Sequence, residues 1–114
     1  MVVINAIYPN SPGGKFDADY YRDKHMPMVK RVLGSACTGV SYAAGITGAE
    51  PGSAPAFIAV GTVYFDSLED FQTAFPPQVE QILADIPNYT DIEPVIQISE
   101  VRLHDVPVGV AART

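Results

Sequence analysis

Three segments of the chain are apolar on both faces of the strands that they would form. Apolar side chains stand at odd and even positions alike within residues 2–7, 57–60 and 95–98. A strand with one face in water alternates apolar and polar residues, whereas a strand that is covered on both faces is apolar at both parities. The sequence therefore predicts a sheet whose two faces are both buried.

The predicted elements follow the order β-α-β-β-α-β along the 114 residues. This order is typical of the α+β ferredoxin-like fold, a four-stranded antiparallel sheet with two helices on one face. Asp66 begins a capping box that opens the second helical region, which is interrupted at Pro76-Pro77 and stops at Pro87. The four predicted strands lie at residues 2–8, 38–47, 56–65 and 93–103. The first predicted helix spans residues 18–33.

We expect one domain over residues 1–104, followed by a C-terminal tail over residues 105–114. Both helices of the fold cover the same face of the sheet, so the other face needs a different cover. The simplest cover is a second copy of the chain, packed sheet against sheet as a two-fold homodimer. The alternative is that strong strands tolerate exposed Val and Ile, but large exposed apolar patches are uncommon on monomers.

Composition limits the classes of partner and location. Seven Lys and Arg against 13 Asp and Glu give a net charge of −6. This charge argues against nucleic acid and against an anionic membrane surface, because both attract clustered basic residues. Cys37 is the one cysteine and cannot form an intramolecular disulfide, and the first five residues lack the charged start of a signal peptide. We therefore expect a cytoplasmic protein without a membrane-spanning segment.

The residues best suited to chemistry lie in the first helix. With Asp17 as the predicted N-cap, this helix places His25 in the middle of its apolar face, one turn after Tyr21. Pro27 cannot donate a hydrogen bond inside a helix, so the helix must kink after His25 or start again near Pro27. Either arrangement would open space beside the imidazole.

An imidazole can transfer protons near neutral pH because its ordinary pKa is about 6.5. His25 is therefore the candidate general base or acid, and Tyr21 is the candidate group that orients the imidazole or the substrate. The alternative is a buried histidine that only packs in the core. A pocket beside His25 would suit a small hydrophobic organic ligand. The candidate lining residues are Tyr8, Tyr20, Met28, Tyr42, Tyr64, Phe71 and Phe75.

The sequence carries no pattern of metal ligands or cofactor-binding residues. His104 is far from His25 along the chain, and no His-x-x-x-His or Cys-x-x-Cys spacing occurs. We therefore expect neither a metal ion nor a cofactor.

Two motifs resemble those of the EthD family, which is named for ethyl tert-butyl ether degradation. The first comprises Tyr8-Pro9, the block from Phe16 to Tyr21, and His25-Met26-Pro27, and the second is the block from Phe65 to Phe71. The resemblance covers roughly residues 2–103. It implies a ferredoxin-like protomer that pairs sheet to sheet as a dimeric α+β barrel.

The resemblance implies less about function. The founding member of the family accompanies a cytochrome-type monooxygenase system, and the family is loosely grouped with oxidoreductases. Related barrels include muconolactone isomerases, cofactor-free oxygenases and fungal dehydratases. The family motif carries over to Tyr20, Tyr21, His25 and Pro27 by position.

Three hypotheses remain open at this point. The first is a small cytoplasmic enzyme, oxygenase-like, isomerase or dehydratase, in which His25 moves a proton on a hydrophobic or aromatic catabolic intermediate. The second is a non-catalytic module that binds such a ligand or supports a partner oxygenase. The third is a structural dimer that binds no ligand.

Overall fold

The computed structural model describes residues 1–106, and its strands form one antiparallel sheet in the order β2-β3-β1-β4. The ferredoxin-like fold predicted from the order of elements is confirmed. The predicted boundary at residue 104 stays a prediction, because residues 107–114 of the expected tail lie outside the described part. The four strands are β1 (Val2–Pro9), β2 (Cys37–Ala44), β3 (Phe57–Phe65) and β4 (Val95–Glu100).

Helix α1, over residues 18–33, contains a π-helical turn. Its Asp17 N-cap is confirmed, since the Asp17 carboxylate accepts a hydrogen bond of 3.1 Å from the Tyr20 N–H. The segment Tyr21–His25 is π-helical, and the Met26 N–H donates to the Tyr21 carbonyl five residues back. Regular α-helix resumes at Met26–Leu33, with Pro27 in its first turn. The predicted restart near Pro27 therefore takes the form of a π turn, a device common at functional sites.

The second helical region is a series of short segments. Helices α2 (Leu68–Ala74) and α3 (Val79–Ala84) are separated by a 3₁₀ turn at Pro76–Gln78, and another 3₁₀ turn follows at Ile86–Asn88. The prediction that Asp66 caps α2 is wrong by one residue. Ser67 is the N-cap, and its hydroxyl accepts a hydrogen bond of 3.1 Å from the Asp70 N–H.

Strand β4 is shorter than the predicted residues 93–103. It lies at the edge of the sheet and, within residues 1–106, pairs only with β1, whose register runs from Val2 opposite Glu100 to Ile7 opposite Val95. The residue before Val95 is Pro94, which has no N–H to donate to a neighbouring strand, and β4 begins after it. Strand β2 likewise ends at Ala44, rather than at residue 47.

The two faces of the sheet differ in their cover. Ile4 and Tyr8 of β1 point toward the helices and belong to the core. On the opposite face, Ile7 lies between Val60 and Val95, and Val95 is 54% exposed. The predicted cover of this face by a second copy stays a prediction.

Gly61 lets Tyr21 reach the sheet. Gly61 lies in β3 on the helix-facing side, and Tyr21 of α1 is 1% exposed. A Cβ built on Gly61 would collide with the Tyr21 hydroxyl, whereas the next ring atom, Cζ, would lie at 3.1 Å. The missing side chain of Gly61 therefore sets how deeply Tyr21 enters the layer between helix and sheet.

We expect Gly61→Ala to lower the free energy of unfolding by about 1–3 kcal/mol, because the added methyl group overpacks the site. Tyr21→Phe should relieve the collision, so the double variant should lose less than the sum of the two single losses. Urea denaturation of the four proteins measures this coupling. Additive losses would contradict the assigned contact.

Candidate active site

An apolar cavity of about 210 Å³ lies between the sheet and the helices, and the ring of His25 forms part of its wall. Its mouth lies beside α3 and β4, where the lining residues Leu83 and Ile96 are 49% and 46% exposed. The volume is below the range for drug-sized ligands and suits a molecule of one or two rings. The lining residues are Ile4, Ala6, Tyr8, Tyr21, His25, Met26, Val29, Gly61, Val63, Phe75, Val79, Ile82, Leu83, Ile86 and Ile96.

The cavity wall carries little charge. Among its lining residues within the described part of the chain there is no Lys, Arg, Asp or Glu, so His25 is the group that titrates nearest to neutral pH. An ionised carboxylate or phosphate ligand would enter without a cation to pair with, which is unfavourable in an apolar site. The lining therefore favours an uncharged ligand.

Asp85 orients the imidazole of His25 through a contact with Nδ1. The Nδ1 atom of His25 lies 2.8 Å from Oδ2 of Asp85, and the two side chains are only 5% and 18% exposed. Asp85 follows the last residue of α3 directly. The contact therefore joins the first helix to the end of the second helical region.

Asp85 accepts further hydrogen bonds at its other oxygen. The Tyr20 hydroxyl and the Asn88 amide donate to Oδ1 over 2.7 Å and 2.9 Å. Burial by itself raises the pKa of the Asp85 carboxyl, but the bonds from Asn88, His25 and Tyr20 together outweigh burial and hold that pKa below its usual value. Asp85 is thus a carboxylate at neutral pH and accepts from His25.

The protonation state of His25 follows from this arrangement. Burial lowers the pKa of His25 below its ordinary value, and the opposing effect of Asp85 only partly offsets this. The ring is therefore neutral at pH 7. Because Asp85 accepts the proton of Nδ1, the lone pair lies on Nε2, which can accept a proton from another group.

Tyr89 and Tyr8 continue the hydrogen-bonded contacts from Nε2. The Tyr89 hydroxyl lies 3.4 Å from Nε2 of His25 and 2.6 Å from the Tyr8 hydroxyl. Tyr89 is held in place by the chain around it, since its carbonyl accepts a hydrogen bond of 2.7 Å from the Asp17 N–H. Burial raises the pKa of the Tyr8 and Tyr89 hydroxyls well above the usual range, so both are neutral.

The π turn determines which side chains of α1 reach this site. Tyr21 and His25 stack with their ring centroids 5.3 Å apart and their planes 15° from parallel. The extra residue in the turn rotates the positions that follow it. As a result Met26 is buried and lines the cavity, whereas Met28 is only partly buried.

The structure brings some of the predicted site residues together. Tyr8, Tyr21, His25 and Phe75 line the cavity. Tyr20 binds Asp85 and does not line the cavity. The roles predicted for these side chains stay predictions.

Four other candidates lie outside the cavity lining. Tyr42 packs against Tyr21, with ring centroids 4.9 Å apart. Phe71 packs against Phe75, and the Tyr64 hydroxyl contacts Ser41 on the opposite face of the sheet. Met28, the fourth of these residues, is partly buried against the core.

Sequence reasoning missed Asp85, Asn88 and Tyr89. One local signal existed, because an acidic residue just after the end of a helix is unfavourable for the helix dipole and has to be held by other contacts. Thr90 fixes this segment near α1, since its hydroxyl donates to the Lys15 carbonyl and Phe16 forms a bridge with Thr90. No periodicity in the sequence predicts that docking.

Residues 1–106 contain neither a metal-ligand cluster nor a membrane-spanning helix. Within this range, no three His, Cys, Asp or Glu side chains cluster so that they could hold a metal ion. No helix there has both the length and the apolar character needed to cross a membrane.

Comparisons with known proteins identify relatives. The sequence model of the EthD domain matches residues 15–93. An EthD-like protein from Ralstonia eutropha JMP134, known from a crystal structure, has 47% sequence identity to this chain. The match spans 90% of this chain and 92% of that protein's chain, and the two structures superpose with a TM-score of 0.84. No curated protein matches the chain.

A more distant structure shares the fold alone. It is an ethyl tert-butyl ether degradation (EthD) family protein from Bacillus halodurans C-125, with 17% identity and a TM-score of 0.62. The match spans 89% of this chain and 98% of the Bacillus halodurans chain.

The lowered pKa of His25 makes stability depend on pH. The unfolded chain binds a proton at about pH 6.5 and the folded chain only at lower pH, so folding is favoured above the unfolded pKa and loses stability as the pH falls through it. We expect the free energy of unfolding to fall between about pH 7.5 and 5.

Denaturant titrations across this range check the expectation. His25→Gln should flatten the slope because it removes the titrating group, and His104→Gln, at an exposed position, is the matched control. Equal slopes for all three proteins would show that His25 does not govern this dependence.

Proposed function

The chain belongs to the EthD family, and we propose that it is a small enzyme in which His25 moves a proton on an uncharged, apolar ligand of one or two rings. The observation that carries the proposal is the position of His25. Its ring lines an apolar cavity, while its Nδ1 atom is held 2.8 Å from an ionised Asp85. This is the arrangement of an oriented general base.

The cavity supplies what proton abstraction needs. Asp85 fixes the tautomer of the imidazole and would stabilise the imidazolium that forms when Nε2 takes a proton. The apolar wall excludes water, so this stabilisation acts in a medium of low dielectric constant. The Tyr21 hydroxyl on the wall can donate to a carbonyl oxygen where negative charge develops.

Three reactions begin with this step. Removal of a C–H proton beside a carbonyl leads to an isomer when the proton returns elsewhere, and to a dehydrated product when hydroxide leaves. In the third reaction the carbanion reacts with dioxygen, as in cofactor-free oxygenation. We propose this group of reactions on a hydrophobic or aromatic catabolic intermediate, without a metal ion or cofactor.

A second candidate function is a non-catalytic module that binds the same ligand or supports a partner oxygenase. It is favoured by the contact between Tyr89 and Nε2. With Asp85 on Nδ1 and Tyr89 on Nε2, the imidazole has hydrogen-bond partners on both nitrogens, as a structural histidine has.

Exchange of C–H protons for deuterium tests the enzyme hypothesis without knowledge of the natural substrate. The probe is 2-tetralone, an uncharged two-ring ketone with weakly acidic C–H groups beside the carbonyl. In D₂O we expect the protein to accelerate its exchange, followed by proton NMR. His25→Gln and Asp85→Asn should each slow the catalysed exchange by roughly 10²-fold while the probe still binds.

His104→Gln is the matched control and should retain the full rate, since His104 is exposed. A probe that binds without any accelerated exchange would favour the binding module. A rate that survives His25→Gln would exclude His25 as the base.

We also propose that the chain works as a homodimer in the cytoplasm. The sheet face opposite the helices supports the dimer, because Ile7, Val60 and Val95 form an apolar row across three strands of it. Packed sheets bury such rows against each other. The cytoplasmic location rests on the sequence alone.

Light scattering after size-exclusion chromatography measures the assembly. We expect twice the mass of one chain for the wild-type protein, and one chain for Val95→Asp, because a buried unpaired carboxylate in the interface is unfavourable. Ile46→Asp is the control, since Ile46 is 90% exposed in the loop after β2. A wild-type protein with the mass of one chain would refute the dimer.

A further inference from the structure

The hydroxyls of Tyr8 and Tyr89 connect the cavity to the imidazole by a second route. Tyr8 lines the cavity and Tyr89 does not. The Tyr8 and Tyr89 oxygens are 2.6 Å apart, and the Tyr89 oxygen is 3.4 Å from Nε2 of His25. These contacts form a continuous series from the cavity wall to the nitrogen that carries the lone pair.

The direction of each hydrogen bond follows from Asp85. The ionised carboxylate takes the Nδ1 proton of His25, so Nε2 can only accept, and the Tyr89 hydroxyl is its donor. The Tyr89 oxygen is then left to accept from the Tyr8 hydroxyl. Tyr8 and the neighbouring Tyr21, whose hydroxyls interact with each other, both line the cavity where a ligand would lie.

We propose that Tyr8 takes the proton from the ligand and that Tyr89 passes a proton on to His25. The inference rests on the proposed function and names the residues that carry out its proton transfer. In the forward step the ligand's proton moves to the Tyr8 oxygen, the Tyr8 proton moves to the Tyr89 oxygen, and the Tyr89 proton moves to Nε2. The ligand becomes an anion and His25 an imidazolium beside Asp85, and the reverse shift returns the proton.

The shift has to be concerted, because neither phenol ionises by itself in this buried place. Each tyrosine gives up one proton as it gains another and stays neutral at the end. The contact of 3.4 Å is long for a hydrogen bond, but catalytic hydrogen bonds are often long in the free protein and tighten in the complex with the reacting ligand. Tyr8 is thus assigned as a catalytic residue, and Tyr89 as the residue that positions and relays the proton.

The contact at Nε2 favours this route over direct attack. A ligand that fills about 210 Å³ contacts Tyr8 and Tyr21 as well as His25. Nε2 already has the Tyr89 hydroxyl as its donor, so a ligand that used this nitrogen directly would have to replace that contact. A relay through Tyr89 keeps it.

Tyr8→Phe and Tyr89→Phe interrupt the series at its two ends, and each alone tests the proposal. Exchange of 2-tetralone in D₂O is measured at saturating probe, with the dissociation constant of the probe determined separately by NMR titration. We expect Tyr89→Phe to slow the saturated exchange by roughly 10²-fold with the dissociation constant unchanged. Tyr8→Phe should slow it by a similar factor.

Tyr64→Phe is the control for loss of a phenol hydroxyl, because Tyr64 lies on the opposite face of the sheet and its hydroxyl contacts Ser41. It should exchange the probe at the wild-type rate. Thermal unfolding of each variant identifies any that fails to fold. If one of the two site variants unfolds, the other still breaks the same series.

The outcomes separate this inference from the function on which it rests. Wild-type exchange that falls with His25→Gln but not with Tyr8→Phe or Tyr89→Phe would overturn the relay and leave His25 as a direct base. An altered probe affinity with an unchanged saturated rate would also overturn the relay, since the tyrosines would then only bind. No exchange by the wild-type protein would overturn the function and the relay together.

Discussion

The hydrogen bond between His25 and Asp85 joins the two helical parts of the molecule across 60 positions of sequence. A buried imidazole nitrogen without a partner costs about 1–3 kcal/mol, so the Nδ1 atom of His25 has to be satisfied. Asp85 satisfies it, and Tyr20 and Asn88 in turn satisfy Asp85. This small polar group fixes where the end of α3 lies against α1, and with it the cavity beside the ring.

The π turn in α1 is a local feature beside Pro27, and it determines which side chains of the helix reach the cavity. Pro27 removes one backbone donor, and the turn before it re-spaces the hydrogen bonds by one residue. That change places Tyr21 and His25 in a stack, and Gly61 provides the room that the Tyr21 hydroxyl needs. A regular helix and a larger residue in β3 would close the site from both sides.

The sequence predicted more of the fold than of the site. The order of elements along the chain, the Asp17 cap and the placement of His25 on an apolar face all follow from periodicity and capping, which are local. The Ser67 cap was missed because the start of α2 depends on where β3 ends. The end of β4 was missed because it depends on where its partner strand β1 begins. Asp85 and Tyr89 were missed because a docked loop, rather than a repeated pattern, brings them to His25.

By itself the sequence determined an α+β domain, a histidine inside an apolar helix face, and a proline that must disturb that helix. Apolar period, residue order and proline geometry act over a few residues and need no knowledge of the rest of the chain. Only the tertiary structure decided that Asp85 orients the ring, that Tyr89 and Tyr8 connect it to a cavity, and that Met26 rather than Met28 lines that cavity. These contacts join residues that are distant in sequence, and their distances depend on how whole elements pack.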